Sequence, residues 1–341
     1  VSMSRKTLFL ALKFLVSGLL IWFLLSKIDI GAAKARIVGV DPWLFLAALG
    51  VIFVQLAVGG ARWEAVLSAI GAPLGHARAI LYFYIGVFFS QVLPSSVGGD
   101  AVRMYKAYRQ GIGLRGAVNG VLLERAVTVA ALVVLVIAVQ PWFAPRVGPG
   151  RSMVLLPVVA LVGLGATGGL AFLMLLDRLP ESLKRWRVVR GLGHLARDTR
   201  QVFLRPGNLA RVMTWGVLTH VNVSLAVLLL ALGLKLEVTW LDCLVLVPPV
   251  LLITTLPISI GGWGVREAAM VFAFGLIGVP EDGALVLGFL LGLIGIVVAV
   301  PGGILWALGR EKGETLSHPG ADLPLAAEQP DSRGPGGDGV R

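Results

Sequence analysis

The chain has 341 residues, 57% of them hydrophobic and 14% charged, with a mean hydropathy of +0.86, whereas soluble globular chains are about 25% charged. Apolar runs of about 20 residues take up most of this length, which excludes an ordinary soluble catalytic domain within it. The net charge of +11 is carried by bases that cap greasy segments, so it reads as membrane topology and contact with anionic headgroups, with no nucleic-acid partner.

The first apolar segment, Leu8 to Leu25, is interrupted only by Lys13 and lacks a prompt small-residue cleavage site, so it is expected as a retained span. Further spans are expected at Trp43 to Gly60, Ala117 to Val139, Met153 to Leu176, Val212 to Leu232 and Ala284 to Leu308. Pro301 is tolerable in the last, because neighbouring helices re-satisfy freed backbone groups. Two shorter segments, Ile80 to Leu93 and Leu241 to Leu256, run straight into Pro/Gly motifs. The fold class expected is therefore all-α, a polytopic membrane protein with about six to eight transmembrane helices over residues 1–308.

Basic loops are retained on the cytoplasmic side. Arg103, Lys106, Arg109 and Arg115 form one such loop, and the linker 177–211 holds nine bases against three acids. Both are expected in the cytoplasm, with the N- and C-termini. Lys27, Lys34 and Arg36 in the first external loop oppose that orientation. In the linker, Leu183, Trp186, Val189, Leu192 and Leu195 recur at helical spacing between bases, as in an interfacial amphipathic helix, although Gly191 and Gly193 weaken the pattern. Residues 311–341, rich in Pro, Gly, Ser and acids, read as a disordered cytoplasmic tail.

The most informative feature is an internal match of LPSSVGGDAVR, at 93–103, with LPISIGGWGVR, at 256–266; seven of eleven positions are identical. Pro94 and Pro257 end the preceding helix. Gly98, Gly99, Gly261 and Gly262 allow backbone angles or close approaches barred to larger residues, and Ser96 and Ser259 can cap the next segment. Broken backbone at membrane depth survives only where protein or a water-lined cavity shields it, so each motif is a candidate re-entrant turn. Three spans lie between them, which makes the repeat inverted, a plan that transporters use around a central substrate site.

Arginine stranded in lipid costs several kcal/mol. Arg103 and Arg266 are therefore expected at a polar site holding an anionic phosphate or pyrophosphate headgroup, helped by N–H groups near Ser96 to Asp100 and Ser259 to Trp263. Asp100, Glu124 and Glu267 pair with them or carry a coupling proton, with Arg125 a further member of the ion pairing; the competing reading is that these ions only anchor the helix breaks. Arg62, Trp63 and Glu64 end the second span, where interface anchoring explains the arginine and tryptophan; the alternative is a headgroup contact. Cys243 has no partner cysteine, and His76, His194 and His220 form no ligand cluster, so neither a metal nor a cofactor is expected.

At FFSQVLPSSVGGDAVRMYKAYRQG, VLLERAV and TTLPISIGGWGVREAA the sequence resembles the lysylphosphatidylglycerol synthase transmembrane-region family of flippase-like membrane proteins. The resemblance covers residues 8 to 308. It implies a multi-span protein of the bacterial inner membrane, with family positions at Pro94, Gly98, Gly99, Asp100, Arg103, Glu124, Arg125, Pro257, Gly261, Gly262, Gly264, Arg266 and Glu267. Some relatives form the lipid-translocating half of aminoacyl-phosphatidylglycerol synthases, whose soluble aminoacyltransferase domain has no counterpart in these residues. The function expected is a flippase or transporter of an anionic or glycosylated lipid, phospholipid or polyprenyl. The alternative is an accessory scaffold for an envelope-lipid biosynthetic enzyme, and a membrane-embedded lipid transferase ranks third.

Overall fold

The computed structural model describes residues 22, 30–93, 98–147, 149–178, 187–254, 259 and 261–309. The expected first span (apart from Trp22), Pro94, Ser96, Pro257 and the tail lie outside them. The described residues form α1 (Ile30–Val38), α2 (Pro42–Ala69), α3 (His76–Val92), α4 (Gly98–Arg109), α5 (Leu114–Val147) and α6 (Pro149–Leu175). After a 3-10 turn at Leu176–Arg178 come α7 (Arg187–Phe203), α8 (Pro206–Gly233), α9 (Trp240–Thr254), α10 (Val265–Gly275) and α11 (Glu281–Leu308). No strand is present among them.

Among the described residues five helices are long and apolar enough to cross a membrane: α2, α5, Val159–Arg178 from α6 through the 3-10 turn, α8 and α11. This is fewer than the six to eight expected. Leu8 to Leu25 is outside the described residues, and the two short segments become helices of 17 and 15 residues. At 1.5 Å per residue these reach only about 25 and 22 Å, short of the roughly 30 Å of hydrocarbon. Pro301 sits within α11 without ending it.

The central pair is α2 and α8, packed antiparallel. Asp41 N–H donates to the Gly233 carbonyl at 3.0 Å, Asn222 Nδ2 to the Val51 carbonyl at 2.9 Å, and Arg211 Nη2 to Glu64 Oε2 at 2.8 Å. Asp41 also caps α2, accepting from Trp43 and Leu44 N–H at 2.8 and 3.1 Å. Ion pairs identify the two ends of the bundle. At one end Arg115 and Asn119 meet Asp198 at 2.5 and 2.6 Å, and Arg200 pairs with Asp177; that hydrogen bond raises the Arg200 pKa. At the other end Arg146 meets Asp242 at 2.7 Å and Arg36 meets Asp282 at 2.5 Å, so Arg36 is neutralised locally.

Of the expected amphipathic linker helix, Leu183 and Trp186 lie outside the described residues; the helix is present from Arg187, but its apolar face does not look outward. In α7, Leu195, Ala196, Val202 and Phe203 are buried against Ala65, Val66, Leu123, Val127 and Val212 of the bundle. This helix caps the basic end.

Each short apolar helix turns back on a shorter partner, α3 on α4 and α9 on α10. Helix α11 carries both hairpins on one glycine face. Gly288 abuts Glu267 and Met270 of α10, and Gly292 abuts the Arg266 guanidinium, while Gly302 and Gly303 abut Tyr84 and Phe88 of α3. Halfway along, Gln91 reaches both α11 and the second motif: a Cβ on Gly295 would lie 3.2 Å from its Nε2, and one on Gly261 3.5 Å from its Oε1. The two hairpin tips therefore meet beside the middle of α11.

Candidate functional site

The paired glycines do different work in the two motifs. Gly98 and Gly99 lie within α4, where Gly98 is pressed on Leu93 and Gly99 on the Gly86 carbonyl and Ser90 Oγ of α3. Their value is close approach. Gly261, Gly262 and Gly264 instead have φ of 58°, 78° and 82°, the left-handed region where a Cβ is penalised. Ser259 caps nothing among the described residues: its Oγ is buried and has no hydrogen-bond partner there. Instead Gly264 is the N-cap of α10, and its N–H donates to Glu267 Oε2 at 2.6 Å.

Around the first motif the structure gathers charge from three helices, α2, α4 and α5. Glu124 of α5 is 3% exposed and bridges two arginines. Its Oε1 accepts from Arg62 Nε at 2.9 Å and its Oε2 from Arg103 Nη2 at 2.7 Å. Arg62 of α2 also donates to Thr219 Oγ1 of α8 at 2.7 Å, and Thr219 is fixed in turn by donating to the Trp215 carbonyl at 2.9 Å. Asp100, in the first turn of α4, is a second bridge: Oδ1 accepts from Arg103 Nη2 at 2.8 Å and Oδ2 from Arg125 Nε at 2.7 Å. Arg103 Cζ lies 5.2 Å from the Trp63 ring centroid and 5.4 Å from that of Phe83, within cation–π range. Such a buried polar cluster is tolerable in a membrane protein because nearly every member is paired.

One charged donor breaks this pattern. Arg103 Nη1 is buried and finds no hydrogen-bond partner among the described residues. Beside it opens a cavity of about 370 Å³, lined by Arg62, Asp100, Arg103, Glu124 and Arg125 on its charged side, and by Phe83, Val87, Val129 and Leu252 on its apolar side. Gly86, Ser90, Gly99 and Thr128 complete the lining, and the Thr128 carbonyl lies 2.9 Å from His220 Nε2. Leu252 belongs to α9, so the second hairpin also walls the cavity.

Of the residues singled out by sequence, Gly99, Asp100, Arg103, Glu124 and Arg125 come together here. Arg266 and Glu267 do not line this cavity. Arg266 donates from Nε to the Gly288 carbonyl at 2.9 Å and from Nη2 to Glu267 Oε1 at 2.6 Å, with Cζ 4.5 Å from the Trp263 ring centroid. Arg62 is more central than its position at the end of an apolar run suggested. Its helix continues to Ala69, which draws the side chain into the bundle, and the burial of Trp63 and Glu64 beside it is the signal a periodicity count would have needed. Groups of three or more His, Cys, Asp or Glu able to hold a metal are absent among the described residues.

A cluster of paired charges carried by apolar helices thus lines a cavity between the α3–α4 hairpin and the bundle, and ionisable residues at membrane depth mark a candidate site. No match was found among the curated proteins or the solved structures. The family model described as lysylphosphatidylglycerol synthase TM region matches residues 10–304. The chain belongs to that family of flippase-like membrane proteins.

Proposed function

We propose that the protein moves an anionic or glycosylated lipid between leaflets, with its headgroup seated at Arg103. The carrying observation is that Arg103, whose buried Nη1 has no partner among the described residues, lines a headgroup-sized cavity together with Asp100 and Glu124. Gly98, Gly99 and Asp100 open α4, and the first-turn N–H groups of a helix lack intrahelical acceptors and attract anions. The apolar wall of Val87, Val129 and Leu252 suits the start of an acyl or prenyl tail.

The two hairpins are read as re-entrant segments from opposite faces. The α3–α4 hairpin starts and ends beside Arg115, at the basic end; α9–α10 starts and ends beside Asp242 and Asp282, at the other. The basic end faces the cytoplasm of a bacterial inner membrane, as its exposed Arg78, Arg109, Arg178, Arg197 and Arg205 favour. Both termini follow it there. In this inverted plan Arg266, Glu267, Ser259, Gly261 and Gly262 form the corresponding seat for the headgroup at the outer face. The glycine face of α11, which holds both hairpins, is the surface against which they rock.

The test is reconstitution of the full chain in vesicles with fluorescent phospholipids and polyprenyl lipids, following leaflet exchange. Wild-type protein accelerates exchange of at least one anionic lipid, and Arg103→Gln abolishes it. No acceleration and no binding across a panel of native lipids sinks the proposal. Copurification with a lipid-modifying enzyme, with exchange indifferent to Arg103, moves the protein to the scaffold class.

A further inference from the structure

The five ionisable side chains lining the cavity do not balance. Arg62, Arg103 and Arg125 face Asp100 and Glu124, leaving one net positive charge. All four carboxylate oxygens are occupied: Asp100 Oδ1 by Arg103 and Oδ2 by Arg125, Glu124 Oε1 by Arg62 and Oε2 by Arg103. A guanidinium cannot shed a proton to remove the excess. The excess is also localised, because the cluster's buried donor without a partner among the described residues is Nη1 of Arg103, a residue only 4% exposed. Gly99 and Asp100 line the same cavity and begin α4, a helix of 12 residues.

Resting on the headgroup reading above, we infer that this site selects phosphate groups with a single negative charge, the phosphodiester class, over phosphomonoesters and pyrophosphates. One negative charge neutralises the cluster. A second converts a buried excess of +1 into −1, and an unbalanced charge of either sign is costly in a low-dielectric site. Geometry agrees with the count: one unpartnered guanidinium nitrogen and one helix N-terminus suit one phosphate, and the other two arginines lining the cavity, Arg62 and Arg125, are held by Glu124 and Asp100. About 370 Å³ holds about a dozen waters at roughly 30 Å³ each, enough for a headgroup but not for two acyl chains. Asp100 sets the selectivity, because it cancels the charge of Arg125, whose side chain is 41% exposed at the site.

The experiment measures binding to the full-length protein in nanodiscs of zwitterionic lipid. The probes are phosphatidylglycerol, phosphatidic acid with the same acyl chains at pH 8, and the soluble pair glycerophosphoglycerol and glycerol 3-phosphate. Wild-type protein binds the diester lipid at least tenfold more tightly than the monoester. Arg125→Gln, which brings the net charge to zero, weakens diester binding about tenfold. Asp100→Asn, which raises it to +2, shifts preference toward the monoester. Soluble and lipid diesters binding alike supports the charge rule with a free phosphodiester as the ligand; a strong lipid advantage supports it with a headgroup. Equal or tighter monoester binding by wild type overturns the inference, as does a diester affinity unmoved by Arg125→Gln, the variant least exposed to misfolding. Failure to bind any lipid removes the headgroup reading itself, whereas binding without selectivity removes only the charge rule.

Discussion

Arg62 and Glu124 are buried partners on α2 and α5, joined at 2.9 Å from Nε to Oε1, and the same carboxylate holds Arg103 at 2.7 Å. Glu124 is thus the joint between the bundle and the α3–α4 hairpin. Glu124→Gln leaves two buried guanidiniums without their shared counter-charge, a kind of loss that costs about 3–5 kcal/mol. Chemical denaturation in detergent should show a loss of that size. A change below about 1 kcal/mol would mean that water reaches and screens the cluster.

The glycine face of α11 makes a second prediction. A Cβ on Gly292 collides with the Arg266 guanidinium, so Gly292→Ala displaces it from Glu267 and the Gly288 carbonyl, costing about 1–3 kcal/mol as overpacking. Gly165→Ala is the control on α6, where a Cβ meets nothing within 4 Å; removing a helical glycine there stabilises by about 0.5–1 kcal/mol. Thermal melts of the two variants in one detergent should move in opposite directions.

Topology is open to direct labelling. With Cys243, the single cysteine, replaced by serine, Arg78→Cys and Arg109→Cys mark the start and end of the α3–α4 hairpin. A membrane-impermeant maleimide should reach both from the side that reaches Arg197→Cys, while Glu281→Cys is reached from the other side. Labelling of positions 78 and 109 from opposite sides would make that hairpin a full crossing.

Arg266 separates binding from movement. Because its guanidinium is held by Glu267 and Gly288 and is absent from the cavity lining, Arg266→Gln should leave headgroup affinity within about threefold while slowing leaflet exchange about tenfold, roughly 1.4 kcal/mol on the rate. Equilibrium binding and exchange on the same preparation check this. Equal loss of both would place Arg266 in the same seat as Arg103.

Much of the site was legible because its residues sit beside a repeated motif. Proline, paired glycines and an arginine in an apolar chain are each unfavourable in an uninterrupted lipid-facing helix, so their recurrence in register marked the two helix interruptions. The same logic singled out Glu124 and Arg125 early in an apolar run. Arg62 was undervalued because an arginine and a tryptophan at the end of an apolar stretch also fit the membrane interface. In the linker, the periodic apolar residues fixed a helix with one greasy side, and that periodicity is the same whether the side meets lipid or protein.

Composition, run length and charge placement by themselves determined an all-α membrane protein with two interrupted short segments and a basic end. These follow from local rules: the bilayer thickness a helix must cover, the backbone groups it must satisfy, and the position of bases between spans. Only the tertiary structure decided that Arg62 shares Glu124 with Arg103, that α7 caps the bundle with its apolar face inward, and that Arg266 stands apart from the cavity. Those outcomes depend on how each helix is rotated and which neighbour it meets. In this chain glycine contacts on α11 and ion pairs between residues up to 246 positions apart make that choice, and no pattern within a single helix encodes it.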